Sequence, residues 1–424
     1  MPVWLAVILV LLSLSASACA VYYTVVVARV IAGSRRVPTL REVSAETPDN
    51  AETPPLCVIV PAHNEEDSIK RLAESLRDHD YAPLRVVFAL DRCTDQTERV
   101  LLDTIGDDAR FEILNIDHCP PDWAGKVHAM HSAFTHAEGP PSAELLLFLD
   151  ADTWLEDGAL RAAAHHLRDQ RLDLLSLLPT LTADDAWEKH AQPACGFELV
   201  RQYPLDAVNR DTKRRAFANG QFMLFTRRGY LDLGTHAAVK DELLEDIAIA
   251  RLLVDRMHRR VGCLMADGLV RCKMYGSWPQ FRRGWKRIFT EAARRNPARL
   301  RKHARRSLLA GVGLPGDAFL CLALAGVCAA IWPSDAIALI TLGLGLAGTG
   351  AFLLAIGAIY QKQRVPIRCA PTYPLAAWRT ARILLDAAND LDLGRATVWA
   401  GRSYERRART PESDHASLRE GPTP

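Results

Sequence analysis

Leu145-Leu-Leu-Phe-Leu-Asp-Ala-Asp152-Thr-Trp-Leu-Glu-Asp-Gly158 is the stretch around which the chain organises. An apolar run of strand length ends in two carboxylates two residues apart, and a turn follows. A strand alternates its faces, so Asp150 and Asp152 point the same way as the chain leaves its sheet. Like charges held that close repel unless a cation lies between them. Oxygen ligands suit a hard divalent ion, and Mg²⁺ is usually shared between one or two carboxylates and substrate phosphates. One reading is therefore a metal-bridged diphosphate site at the carboxyl edge of an α/β sheet. A plain polar strand end accounts for the stretch equally well, because Asp is common in turns.

Working outward, similar strands recur. Leu56-Cys-Val-Ile-Val60 reads as a buried strand with Pro61-Ala-His-Asn-Glu-Glu66 as its exit loop. Ile69, Leu72 and Leu76 follow at helical spacing. Leu84 to Leu90 is a second strand, ending at Asp91-Arg-Cys-Thr-Asp95 before a helix that runs to about Ile105, and Phe111 to Ile116 is a third. Strands alternating with helices at this spacing predict an α/β domain, a mostly parallel sheet with helices on both faces. Each exit carries polar residues: Asn64 and Glu65, Asp91 and Asp95, Asp150 and Asp152. Ligands of such sheets bind outside those carboxyl ends. There is no GxGxxG after the first strand and no GxxxxGK[ST], which disfavours a dinucleotide fold or a P-loop.

The 424 residues carry a net charge of +2, so no global charge dictates a partner. A hydrophobic content of 49% beside 24% charged residues points to apolar blocks next to a soluble body. Residues 3–28 contain no charge, 307–332 are broken only by Asp317, and 336–360 are again charge-free. Each is long enough to span hydrocarbon, and the Trp332–Asp335 turn makes the last two a hairpin. Ala18-Cys-Ala20 resembles a signal-peptide cleavage site, but a basic n-region is missing and the apolar run continues to Val27, which favours an uncleaved span. Arg29, Arg35, Arg36 and Arg41 follow the first block, seven basic residues lie between Arg294 and Arg306, and Lys362 and Arg364 follow the third. The positive-inside rule then places the central region in the cytoplasm of an integral plasma (inner) membrane protein. The ten cysteines show no zinc-like spacing and read as thiols rather than disulfides.

The expected organisation is an amino-terminal transmembrane anchor (1–30), a linker (31–55), an α/β domain (56–290), a basic juxtamembrane segment (291–306), the hairpin (307–361), and a carboxy-terminal amphipathic segment with a disordered tail (362–424). The eleven basic residues from Arg282 to Arg306 suit anionic lipid headgroups better than nucleic acid, given the adjoining span.

Other residues bear two readings each. Glu245 and Asp246 close the acidic cluster Asp241-Glu-Leu-Leu-Glu-Asp246. Acids favour the first turn of a helix, and a carboxylate of tuned pKa can also act as a general base. Lys126 is either a diphosphate partner at a helix start or a solvated lysine. His128 and His131 have metal-like spacing, yet no third ligand is evident and surface histidines are the simpler reading. Asn219-Gly220-Gln221 is a turn before the run Phe222–Phe225. Trp285 either stacks on a ligand or lies at a membrane interface.

Val58-Ile-Val-Pro-Ala-His-Asn-Glu-Glu66, Asp91-x-x-x-Asp95, Gly125-Lys126, Asp150-x-Asp152 and Leu244-Glu245-Asp246 resemble, in this order, family 2 glycosyltransferases of the GT-A (Rossmann-like) fold, from about Leu56 to Phe289. Trp123-Ala-Gly-Lys-Val-His-Ala129, Arg271-Cys-Lys-Met-Tyr275 and Gly284-Trp-Lys286 are most similar to membrane-anchored enzymes that glycosylate lipids, the hopanoid- and carotenoid-associated ones in particular. The resemblance implies that Pro61, Ala62, Asn64, Glu65, Asp91, Lys126 and Asp150 bind the nucleotide sugar, a UDP- or GDP-sugar. It implies that Asp150 and Asp152 place Mg²⁺ or Mn²⁺ on the diphosphate. Asp246 would be the general base of an inverting transfer of one sugar to a lipid or hydrophobic hydroxyl, with Glu245 orienting the loop or the acceptor. Asn219, Gly220 and Gln221 would line the acceptor side, joined by Gln280, Arg283 and Trp285. Two departures stand out. The usual Asp-Asp pair is Leu90-Asp91 here, so one nucleotide contact is expected to be absent or altered. Gln280-Phe-Arg-Arg283-Gly-Trp285 carries one glycine more than the Gln-x-x-Arg-Trp of processive synthases. That glycine and the single hairpin argue against a polysaccharide synthase of the same fold, and the intact carboxylate set argues against a non-catalytic scaffold.

Overall fold

The computed structural model describes residues 1–399, 402–404 and 408. They fall into two compact units. A sheet unit comprises Ser34–Thr182 and Tyr203–Gly276, and a helical unit comprises Met1–Gly33, Ala183–Gln202 and the residues from Ser277 onward.

The strands of the sheet unit are β1 (Leu56–Ala62), β2 (Leu84–Asp91), β3 (Phe111–Ile116), β4 (Leu145–Leu149), β5 (Thr153–Leu155), β6 (Leu174–Leu178), β7 (Thr180–Leu181), β8 (Phe222–Thr226), β9 (Val261–Met265) and β10 (Val270–Cys272). The main sheet has the order β3-β2-β1-β4-β8-β6-β9. Every pairing is parallel except the two made by β8. The sheet is thus the mostly parallel α/β sheet expected of a GT-A domain. Cys57 to Val60 and Leu146 to Leu149 are fully buried, because central parallel strands are covered on both faces and must read as unbroken apolar runs. Covering helices show the matching stripe: Ile69, Leu72, Ala73 and Leu76 are the buried positions of the helix Ile69–Arg77. Strand order reverses between β1 and β4, so their loops diverge and open a crevice at the carboxyl ends. A second, small sheet, β5-β10-β7, sits just past the β4 exit.

Residues 31–55 were expected to be a linker, but Leu40–Glu46 are helical. Thr39 and Glu42 form a capping box there: the Thr39 hydroxyl accepts from Glu42 N at 3.2 Å and Glu42 Oε2 accepts from Thr39 N at 2.7 Å. Leu40 and Val43 then join the core of the sheet unit. That unit also ends at Gly276 rather than near 290, and it omits 183–202.

In the helical unit, three helical segments are long and apolar enough to cross a membrane, beginning at Val3, Pro297 and Ala336. The helices Leu314–Ile331 and Ala336–Lys362 form the expected hairpin, and Asp335 caps the second by accepting from Ile337 N and Ala338 N at 3.0 and 3.2 Å. Small residues let the helices approach: a Cβ on Gly345 would lie 2.8 Å from the Leu322 backbone, and one on Gly348 would lie 2.6 Å from Ala16 O. Asp317, the single acid of its span, accepts from Ser15 Oγ at 2.7 Å. The basic run is partly spent inside this unit. Arg282, Lys286 and Arg301 pair with Asp386, Asp390 and Asp392 of the helix Tyr373–Asp392, and Arg306 and His303 hold the buried Glu198. That helix buries Ile383, Leu384 and Leu391 and exposes Leu375 and Trp378. None of the ten cysteines is in a disulfide. The tail beyond 408 lies outside the described residues.

Candidate active site

The exits of β1 and β2 form one hydrogen-bonded surface. Asn64 takes a left-handed conformation (φ 58°), which Asn tolerates better than most residues, and its Oδ1 accepts from Thr94 N at 2.8 Å. The His63 ring meets Asp91 O at 2.6 Å, and Glu65 N donates to Thr97 Oγ1 at 2.8 Å. Asp95 is the turn's own cap, accepting from the hydroxyl and the N–H of Thr97. Asp91 is buried and held in a fork by Arg92, at 2.8 Å from Nε and 2.6 Å from Nη2. Gly125 opens its helix directly against that pair, where a Cβ would come within 3.0 Å of Asp91 Oδ2.

β4 ends at Leu149, and Asp150 and Asp152 lie in the turn that follows it. Thr153 Oγ1 donates to Asp150 O at 2.6 Å and Lys273 N donates to Asp152 O at 3.0 Å, so both neighbouring peptides are clamped. Lys126 Nζ bonds Asp150 Oδ1 at 2.7 Å and Glu245 Oε1 at 2.8 Å. One ammonium therefore ties the Asp-x-Asp pair to the Glu-Asp pair. Glu245 and Asp246 are both buried in the first turn of the helix Glu245–Arg251. Asp246 Oδ2 accepts from Gly220 N and Oδ1 from Ile247 N, each at 2.7 Å. Gly220 is required by this crowding: a Cβ there would meet Glu245 Oε1 at 2.9 Å, Lys126 Nζ at 3.2 Å and Asp246 Oδ2 at 3.3 Å.

Electrostatics separate these carboxyls. Burial and the adjacent Glu245 raise Asp246 to about 6, against the pull of Lys126 and the two N–H groups. Burial opposes ionisation of Glu245 too, but Lys126 outweighs it and holds that carboxyl low. Burial, Asp150 and Glu65 push Asp152 up to about 8, and its Oδ1 is buried without a hydrogen-bond partner. Among the described residues no group of three His, Cys, Asp or Glu is arranged to hold a metal. A site with two protein carboxylates, its other ligands drawn from a diphosphate, is the ordinary Mg²⁺ arrangement, and an orphaned carboxylate oxygen beside a second carboxylate fits it.

Asn219 and Gln221, expected to line the acceptor side, are hydrogen-bonded within this framework. Asn219 N donates to Ser176 Oγ at 2.7 Å, Asn219 Nδ2 to Gln221 Oε1 at 3.0 Å, and Gln221 Nε2 to Cys272 Sγ at 2.6 Å. Pro61 and Ala62 end β1 beside the crevice. Gln280, Arg283 and Trp285 belong to the helical unit, where Trp285 is buried between Phe281 and Phe289. His128 and His131 pack on Trp123, and His131 also contacts Thr235. Sequence reading assigned no role to Arg92, Ser176, Cys272 or the buried His236, although Arg92 lies within Asp91–Asp95 and Cys272 within Arg271–Tyr275.

Residues 57–233 match the family model for glycosyl transferase family 2. Curated relatives include the 4,4'-diaponeurosporenoate glycosyltransferases of Staphylococcus aureus strains USA300 and bovine RF122, each 26% identical over 201 residues. Those matches cover 46% of this chain and 50% of the relative, so the chain spans about half the length of the curated relatives it matches. Similar solved structures include the mannosyltransferase PcManGT from Pyrobaculum calidifontis in complex with GDP-Man and Mn²⁺, 19% identical with a TM-score of 0.45, covering 92% of this chain and 99% of that one. Another is S. aureus TarS 1–349, 17% identical with a TM-score of 0.37, covering 83% and 96%.

Proposed function

We propose that this chain moves one sugar from a UDP- or GDP-sugar to a hydroxyl of a lipid or hydrophobic acceptor, with inversion, at the cytoplasmic face of the plasma (inner) membrane. The observation that carries the reading is the Lys126 bridge, which joins the Asp150–Asp152 pair to the Glu245–Asp246 pair. A donor-holding group and an acceptor-activating group must sit within one sugar's reach, and the bridge supplies that proximity.

In this reading Asp150 and Asp152 would hold Mg²⁺ or Mn²⁺, which when bound neutralises charge on the leaving diphosphate. Asp246 takes the proton of the acceptor hydroxyl as its oxygen attacks the anomeric carbon. The bond to the diphosphate breaks on the opposite face, which inverts the configuration. A base with its carboxyl near 6 is ionised at neutral pH and still basic enough to accept that proton. Each Asp246 oxygen retains a lone pair beside its backbone N–H bond. Glu245, ionised against Lys126, fixes the ammonium and the loop. The carotenoid-associated relatives favour a hydrophobic acceptor, and the three apolar helices would keep the protein where such acceptors reside.

The test is metal-dependent nucleotide release by purified, detergent-solubilised protein, using a panel of UDP- and GDP-sugars with and without lipid extract. Release from one donor, abolished in a folded Asp152→Asn variant, is the expected result. Normal activity in that variant would sink the assignment.

A further inference from the structure

Ser176 interrupts an apolar strand. It is the middle residue of β6, Leu174-Leu-Ser-Leu-Leu178, which lies between β8 and β9 in the main sheet, and it is fully buried. A hydroxyl in such a place is costly unless it is hydrogen-bonded. Both of its bonds go to the backbone of one residue: Asn219 N donates to Ser176 Oγ at 2.7 Å, and Ser176 Oγ donates to Asn219 O at 3.1 Å. Asn219 C=O and Gly220 N–H belong to the same planar peptide. That N–H donates to Asp246 Oδ2 at 2.7 Å, so one face of the peptide is held by Ser176 and the other holds Asp246. The far end of the turn is fixed separately, because Gln221 O accepts from Asp150 N at 3.3 Å and Phe222 pairs with Leu149. No slack separates the peptide from the acids: a Cβ on Gly220 would meet Glu245 Oε1 at 2.9 Å and Asp246 Oδ2 at 3.3 Å.

We infer that Ser176 is a positioning residue for sugar transfer: it sets the plane of the Asn219–Gly220 peptide, whose N–H holds the Asp246 carboxyl where the acceptor hydroxyl must meet it. Reacting groups have to be aligned closely, and a displacement of about 1 Å made far from the chemistry can cost about a hundredfold in rate. A hydroxyl that served only the stability of β6 would, on removal, lower the melting temperature and leave turnover by the folded protein unchanged. The inference rests on the functional reading above, namely that Asp246 is the base.

The experiment is a set of initial rates for the full-length protein in detergent, transferring labelled sugar from the UDP- or GDP-sugar that the wild type uses to lipid extract, beside a thermal melt. Ser176→Ala is expected to lower kcat about tenfold or more while donor KM stays within about twofold, because Asp150 keeps its own bonds to Lys126 and Thr153. An unchanged kcat, or a rise in donor KM as large as the fall in kcat, would overturn the inference. Should that variant fail to fold, Ser176→Cys sets a larger atom with weaker hydrogen bonds against Asn219. It must lower kcat in the same sense, and an unchanged kcat there overturns the inference equally. Asp246→Asn separates the inference from the reading beneath it. Loss of transfer in Asp246→Asn with a normal kcat in Ser176→Ala leaves the reading standing and removes the inference alone. Wild-type transfer in Asp246→Asn is a different outcome: Asp246 is then not the base, and the inference falls with that reading.

Discussion

Lowering the pH from 8 to 5 at saturating donor and cation should slow transfer about tenfold, through protonation of Asp246. The carboxyl is raised to about 6 by burial and by Glu245, so roughly nine in ten molecules carry the base ionised at pH 7 and roughly one in ten at pH 5. The rate follows the ionised fraction: flat above about pH 7 and falling tenfold per unit well below 6. Cation saturation matters because Asp152 is also raised, to about 8, and a bound cation would keep it ionised. The sign for stability is opposite. A carboxyl raised in the folded state binds its proton more tightly there than in the unfolded chain. Its unfavourable contribution is fully present above about 6 and is relieved as the pH falls toward the ordinary 3.8. The acid loss of rate should therefore arrive without a fall in melting temperature from this group. Lys126→Met removes the ammonium that favours the ionised form, so its acid limb should shift to higher pH. Initial rates of labelled sugar transfer to lipid extract, with melts at each pH, make the measurement. A flat wild-type profile from pH 5 to 7, or an unmoved limb in Lys126→Met, would refute the reasoning.

Two substitutions probe the packing around the site and away from it. Gly220→Ala adds a Cβ against the movable ends of Glu245, Lys126 and Asp246, so the fold should survive while kcat falls about ten- to a hundredfold; a normal kcat would refute the crowding argument. Trp285→Ala empties a buried position between Phe281 and Phe289 and should cost about 3–5 kcal/mol in a denaturation measurement. A variant that melts like wild type but loses transfer would return Trp285 to the acceptor role.

β1 and β4 were legible almost to the residue because each is covered on both faces and reads as an uninterrupted apolar run closed by polar residues, whereas β2 carries the exposed Arg85 and the half-buried edge strand β3 includes Glu112 and Asn115. The direction of β8 was not legible, since Phe222–Thr226 reads the same whether it pairs parallel or antiparallel. The helix Leu40–Glu46 was hidden by composition, rich in Pro, Glu and Thr around it, although Thr39-x-x-Glu42 is a local start signal. Assignment of 183–202 to the helical unit depends on which distant helices its side chains meet: Cys195 on Thr380, and Glu198 on His303 and Arg306. No spacing within the segment encodes those partners.

Site residues on strand exits could be read for the same reason as the strands, but what each carboxyl does depends on contacts across the fold. Lys126 can bond two carboxyls, and it takes Asp150 and Glu245. Glu245 is accordingly held low, whereas Glu65, Asp152 and Asp246, which lack an ammonium bonded to them, are all raised. The cluster thus holds more buried carboxyls than Lys126 can neutralise, among them Asp152, whose Oδ1 has no hydrogen-bond partner. A divalent cation that binds there relieves a cost already present in the folded state, so it should stabilise the protein. At a concentration of about a hundred times its Kd the gain is about 2.7 kcal/mol, enough to read as a rise in melting temperature. Titration with Mn²⁺ and UDP or GDP should show that rise in the wild type and lose it in Asp152→Asn. A rise of equal size in Asp152→Asn would place the cation elsewhere and remove the electrostatic argument for this site.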